Sequence, residues 1–219
     1  MNRLNKKINA AKAAIKFIEP GMTVGIGTGS TVNLLIEILP KIRSKIKYLV
    51  SSSEASTSLL KKNNLPVSDL NDIGNCDIYI DGADECNYQL QLIKGGGGAL
   101  TREKILACAA KKFICIIDDS KLVKTLGNFP LPIEILPMAQ TLIEQQIIKM
   151  NGKPIWREGF ITDNGNYILD VHNLKISDPI KIESLINEIP GVITVGIFAK
   201  QAADIILIGN SNGVKEISQ

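Results

Sequence analysis

A single histidine, His172, is the most restrictive count in this chain of 219 residues. With one imidazole, a His-based triad, a two-His metal site and a His relay are all weakened, so proton chemistry falls to carboxylates and lysines. Cysteine is sparse as well. The four, at 76, 86, 108 and 115, form no C-x-x-C pair and no spacing typical of a structural zinc site. They read as core thiols of a reducing compartment, which makes the cytoplasm the expected location and disulfides unexpected. Long apolar runs are missing: Phe113 to Ile117 and Ile205 to Ile208 have the length of buried strands, far short of the roughly 18 residues of a membrane span. Nor is there a surplus of charge. The 25 Lys plus Arg against 22 Asp plus Glu leave +3, too little to argue for nucleic acid.

What is present reads as an ordinary globular chain. Arg3, Lys6, Lys7, Lys12 and Lys16 precede the first acid, Glu19, as in a transit peptide, but the stretch lacks serine. Leu4, Ile8, Ala11, Ile15 and Ile18 instead mark the apolar stripe of a first helix, ended by Pro20-Gly21. Strands are then expected from Met22 to Gly27, Ile46 to Val50, Ile78 to Ile80 and Phe113 to Ile117. They alternate with helices over Val32 to Leu39, Glu54 to Asn63 and Ala99 to Ala110. Such alternation implies an α/β protein with a Rossmann-like, mainly parallel sheet covered on both faces.

After Pro130-Leu131-Pro132 the pattern changes. A segment Ile133 to Leu136, a helix over Thr141 to Met150, a hairpin around Asp163 to Asn166, a helix from Pro179 to Ile189 and a strand Val192 to Phe198 suggest a smaller α+β domain. The expected division is 1–128 plus 204–219 for the first domain and 129–203 for the second, with the strand Ile205 to Ile208 returning to the first sheet.

Four segments could carry chemistry. Gly25-Ile26-Gly27-Thr28-Gly29-Ser30-Thr31 follows a strand and opens a helix, where N–H groups and hydroxyls suit a phosphate. Ser30 replaces the third glycine of a dinucleotide fingerprint, and the next strand ends in serines rather than an acid. A tight turn needing glycine for its angles would look similar. Asp81-Gly82-Ala83-Asp84 follows a buried strand at the carboxyl end of the sheet. Two close carboxylates there would push one pKa up, although an Asp-Gly turn capping amides fits equally well. In Lys94-Gly95-Gly96-Gly97-Gly98, the glycines cost more chain entropy than a turn requires; a flexible linker would also be glycine-rich, but an apolar strand before and an apolar helix after favour an oxyanion cradle beside a lysine. Glu103 shares a helical face with Leu106, Ala107 and Ala110, where partial burial would strengthen it as a base. By spacing alone, a solvated first-turn acid fits slightly better. His172 and Trp156 are assigned structural roles.

Together, G-I-G-T-G-S-T at 25–31, S-S-S-E-A-S-T at 51–57, D-G-A-D-E at 81–85 and K-G-G-G-G-A-L-T-R-E-K at 94–104 strongly resemble ribose-5-phosphate isomerase A. The likeness continues through D-D-S-K at 118–121, F-P-L-P at 129–132, T-D-N-G-N at 162–166 and I-P-G-V at 189–192. It implies interconversion of D-ribose 5-phosphate and D-ribulose 5-phosphate through an enediolate, without metal or organic cofactor. The resemblance makes Glu103 the base, Asp81 and Asp84 the acids for hydroxyl protons and ring opening, and Lys94 with the N–H groups of Gly95, Gly96 and Gly97 the enediolate cradle. Thr28, Gly29, Ser30 and Thr31 match the substrate loop, with Lys7 and Lys121 as the cations around the phosphate; Gly82 and Ala83 fall within the substrate-binding segment. The implied partners are the sugar phosphate and a second copy in a homodimer or tetramer, with neither nucleic acid nor membrane.

Two positions depart from the family pattern. Gly98 stands where alanine is common and is expected to loosen the first turn of the Glu103 helix, and Glu54 stands where aspartate is common. A sugar-phosphate sensor would keep the phosphate loop but lose the base, and the stretch before Met22 is too short for a helix-turn-helix domain. A nucleotide-linked oxidoreductase is disfavoured by the glycine spacing.

Overall fold

The computed structural model describes residues 2–218. In chain order the elements are α1 (Arg3–Ala14), β1 (Met22–Ile26), α2 (Ser30–Ile38), β2 (Ile46–Ser51), α3 (Glu54–Lys62), α4 (Leu70–Ile73), β3 (Ile78–Asp81), β4 (Glu85–Cys86), β5 (Leu92–Ile93), α5 (Leu100–Ala109), β6 (Phe113–Asp118) and β7 (Leu131–Ile135). They continue with α6 (Gln140–Lys149), β8 (Lys153–Trp156), β9 (Tyr167–His172), α7 (Pro179–Asn187), β10 (Val192–Val195), β11 (Ile197–Phe198), β12 (Ile205–Asn210) and β13 (Gly213–Ser218). The chain forms two compact units. One contains the residues up to Gly82, Arg102–Lys121 and those from Ala203 on; the other contains Ala83–Thr101 and Leu122–Ala202. The sequence expectation began the second domain at 129. Here the second unit also takes in the glycine segment, because β5 pairs with β4 and β11.

In the first unit six strands lie in the order β13-β12-β6-β3-β1-β2. All neighbours are parallel except β12 and β13. The expected return of the 205–208 strand to the first sheet is therefore observed, beside β6. Every residue of β3 and β6 is buried, which is why these strands read as unbroken apolar runs rather than alternating ones.

Helix α1 packs its alanines inward. Ala10, Ala11, Ala14 and Ile18 are buried, whereas Leu4 is exposed and Ile8 and Ile15 are only partly covered, so the stripe drawn from the largest side chains is displaced. The reason is a close approach: a Cβ at Gly209 on β12 would stand 1.8 Å from the carbonyl oxygen of Lys6. Only small side chains fit such a contact. Cys108 also departs from expectation. It is exposed, because the buried stripe of α5 runs through Leu106 and Ala107, whereas Cys76, Cys86 and Cys115 are buried.

In the second unit an antiparallel sheet, β10-β7-β9-β8, encloses a core that includes Ile133, Ile135, Ile143, Ile147, Leu169 and Val195. The hairpin expected around 163–166 is β8 paired with β9, joined by the longer connection 157–166. The expected strand 192–198 breaks at Gly196, whose N–H donates to the Pro132 carbonyl and whose carbonyl accepts from Lys94 N–H. That splits it between β7 and β5 as partners. The short pair β4–β5 and the edge strand β13 were not expected. Among the described residues, no helix is long and apolar enough to cross a membrane.

Candidate active site

Strand β1 delivers the chain to Gly27, and α2 starts three residues later. The first-turn N–H groups of a helix lack intrahelical acceptors, which makes that end a favourable place for an anion. Lys7, reaching across from α1, donates to Ser30 Oγ at 2.7 Å, so a cation and a hydroxyl meet at the helix start. Gly29 and Ser30 are exposed and Thr31 is buried. Thr28 is tightly held: its N–H donates to Asp81 Oδ1 at 2.9 Å, and its hydroxyl lies 2.9 Å from Ser52 Oγ and 2.8 Å from Ser53 Oγ. The serine run after β2 thus braces this loop. Lys121 closes the turn Asp119–Lys121 after β6, which runs parallel to β3 and ends at the same edge of the sheet.

Asp81 is wholly buried at the end of β3. Its Oδ1 accepts from Thr28 N–H and, at 2.7 Å, from Gly82 N–H, while Oδ2 accepts from the Tyr79 hydroxyl. The backbone of Gly27 runs so near that a Cβ there would stand 1.9 Å from Asp81 Cγ. Glu103, in the first turn of α5, is only 4% exposed. Spacing alone had favoured a solvated acid; the packed stripe with Leu106 and Ala107 decides for burial.

Burial, followed by the negative charges of Asp81 and Glu103, raises the Tyr79 phenol well above its ordinary pKa of 10.0. Tyr79 therefore stays protonated and acts as a fixed donor to Asp81. The sequence reading passed over it. The available signal was a tyrosine inside an apolar strand, two residues before an aspartate, since buried phenols need a partner and strand side chains share a face at i and i+2.

The second unit carries the remaining candidates. Asp84 Oδ2 accepts from Gly96 N–H at 2.8 Å. Lys94 is 2% exposed, with Nζ 5.7 Å from the centre of the Phe198 ring. Gly96 and Gly97 are exposed between buried Gly95 and Gly98. Gly98 does not lie in the helix as expected. It precedes α5 at φ +79, a conformation glycine adopts without strain, and the Phe160 ring packs where a Cβ would be. The longer acid at position 54 meets Arg102, whose Nη1 lies 2.8 Å from Glu54 Oε1.

The structure thus groups Lys7, Thr28 to Thr31, Asp81, Gly82, Glu103 and Lys121 in the first unit, and Ala83, Asp84 and Lys94 to Gly97 in the second. The chain passes between the two groups at 82–83 and again at 101–102, within the first turn of α5.

Comparison with known proteins shows the family. The family model of ribose 5-phosphate isomerase A (phosphoriboisomerase A) matches residues 48–213. The crystal structure of ribose 5-phosphate isomerase A from Neisseria gonorrhoeae is 46% identical, covers 99% of this chain and 97% of that one, and superposes with a TM-score of 0.97. A D-ribose-5-phosphate isomerase in complex with phospho-erythronic acid is 40% identical over 100% of both chains, with a TM-score of 0.96. The enzyme of Methanocaldococcus jannaschii is 38% identical over 100% of both, with a TM-score of 0.94. With its α/β fold and its motifs, the chain belongs to the ribose 5-phosphate isomerase A family, aldose-ketose isomerases of the pentose phosphate pathway that interconvert D-ribose 5-phosphate and D-ribulose 5-phosphate.

Proposed function

We propose that Glu103 is the base of this isomerisation and that the reaction passes through an enediolate. Its carboxylate removes the proton from C2 of the open-chain aldose and returns one to C1, while the hydroxyl proton moves from O2 to O1, so atoms balance between the two sugars. The observation that carries the assignment is burial. A carboxylate kept from water at 4% exposure is costly to charge, and such groups concentrate where chemistry uses them.

Lys7, Ser30, Thr31, Gly29 and Thr28 bind the phosphate end, with Lys121 adding positive charge. Support comes from the Lys7–Ser30 contact at the start of α2. Fixing the phosphate orients C1 and C2 toward the base. Asp81 and Asp84 handle the hydroxyl protons and ring opening. Lys94 and the N–H groups of Gly95, Gly96 and Gly97 hold the negative oxygens. The relative bound to phospho-erythronic acid carries a ligand with both a phosphate and a carboxylate, consistent with a site that recognises two anionic ends.

Glu103→Gln tests the assignment: kcat falls on the order of 1,000-fold while competition by inorganic phosphate is unchanged. Full activity in that variant refutes the base. On the family resemblance we also place the enzyme in the cytoplasm as a homodimer. Light scattering of the purified protein reads the mass directly.

A further inference from the structure

Two carbonyl oxygens of the glycine segment face one guanidinium. Arg157, in the connection after β8, places Nη1 3.3 Å from the Gly95 oxygen and 3.1 Å from the Gly96 oxygen, with Nη2 3.4 Å from the Gly95 oxygen. The arginine is itself held. Its Nε donates to Asp170 Oδ2 at 2.8 Å and its Nη2 to Oδ1 at 2.6 Å, a two-pronged pair with β9. The Phe160 ring lies 5.3 Å from the guanidinium carbon, and the Arg157 N–H donates to the Ile168 carbonyl.

A trans peptide is planar, so its C=O and the following N–H point in opposite directions. Turning the Gly95 carbonyl toward Arg157 therefore sends the Gly96 N–H the other way, where it meets Asp84 Oδ2 at 2.8 Å. The same rule applied to the Gly96 carbonyl turns the Gly97 N–H away from the arginine, at a residue open to solvent. Glycines bring no side chain to hold a peptide plane in place, and their backbone moves between basins at little cost. The turn itself holds one of these planes, the Gly98 N–H donating to the Gly95 carbonyl at 2.9 Å; Arg157 adds a clamp across both, and arginine's rigid fork supplies several donors at once in a way a lysine cannot.

We propose that Arg157 is a positioning residue for the isomerisation. It fixes two consecutive peptide planes, holding the Gly96 N–H on Asp84 and turning the Gly97 N–H to the open side, toward the oxygen that becomes negative. This rests on the cradle reading given above. It also gives the β8–β9 hairpin a part in the chemistry, through Arg157 and Asp170.

The test compares Arg157→Gln, Arg157→Lys and Lys94→Gln in the full-length enzyme, by steady-state kinetics and by affinity for phospho-erythronic acid, whose carboxylate stands in for the negative oxygens. For Arg157→Gln, kcat falls on the order of 100-fold with KM within about threefold of wild type. Phospho-erythronic acid binds more weakly by tens of fold, and inorganic phosphate competes as before. Arg157→Lys recovers only part of kcat. Wild-type kcat in either folded arginine variant overturns the proposal, as does a loss of kcat with affinity for phospho-erythronic acid unchanged. If Arg157→Gln does not fold, Arg157→Lys decides by the same criteria. Lys94→Gln separates the two levels: wild-type kcat there sinks the cradle itself, whereas loss there with wild-type kcat in the arginine variants sinks only the role of Arg157.

Discussion

The Tyr79 hydroxyl donates to Oδ2 of Asp81, two residues further along the same face of β3. One strand thus supplies both a carboxylate and the buried donor that restrains it. Because the folded chain holds the phenolic proton more tightly than the unfolded chain, stability is present below about pH 10 and falls as pH rises above the ordinary tyrosine value of 10.0. Tyr79→Phe should abolish that part of the alkaline slope in denaturant titrations. At neutral pH it should cost about 2 kcal/mol, the worth of a hydrogen bond to a charged acceptor. An unchanged alkaline slope in the variant contradicts this account.

Gly27→Ala should disable the site while leaving the fold standing. The added methyl would press on Asp81 at 1.9 Å, so the carboxylate or the Thr28 loop must move. Misplacement of this kind is expected to lower kcat on the order of 100-fold, with about 1 to 3 kcal/mol of destabilisation from overpacking. Kinetics and thermal melting of the same preparation distinguish the two effects; wild-type kcat would show that the loop yields freely.

Glu134 is fully buried on β7 and gathers donors from Thr101, Thr162, Asn164 and Asn166. Replacing it by glutamine removes the charge that three donors share at Oε1 and obliges the Thr101 hydroxyl to accept where it now donates. A loss of about 3 kcal/mol in urea unfolding is expected. Since Thr101 sits in the first turn of α5, hydrogen exchange should report the loosening at that helix start. Equal protection there in variant and wild type speaks against the anchor.

Thiol titration gives a fourth check. Burial, with help from neighbouring acids, pushes the Cys76 thiol up to about 11 and that of Cys86 to about 12, and Cys115 is buried. Native protein at pH 8 should react rapidly with an aromatic disulfide only at Cys108, and at all four cysteines in guanidinium. Rapid native reaction at Cys86 would mean that its pocket opens.

The middle of the main sheet was readable because β3 and β6 are buried on both faces and announce themselves as apolar runs. The short pair β4–β5, two residues each, has no period to detect. The glycine and acid segments were visible through their composition, whereas their supports were not. Glu134 hides in the apolar run L-P-I-E-I, and Arg157 looks like any surface cation until the chain brings it to Gly95 and Gly96. Partners so distant in sequence leave no local spacing. Gly98 misled for a related reason: its helical appearance came from its neighbours, while its φ of +79 is set by the turn entering α5.

The position of β12 between β6 and β13 sets a condition on biosynthesis. Strand β6 has no lasting neighbour on one flank until Ile205 to Asn210 has left the ribosome, long after its own synthesis. Until β12 docks, β6 presents an unpaired margin along a run of five apolar residues, Phe113 to Ile117, the kind of exposed strand that pairs with other chains.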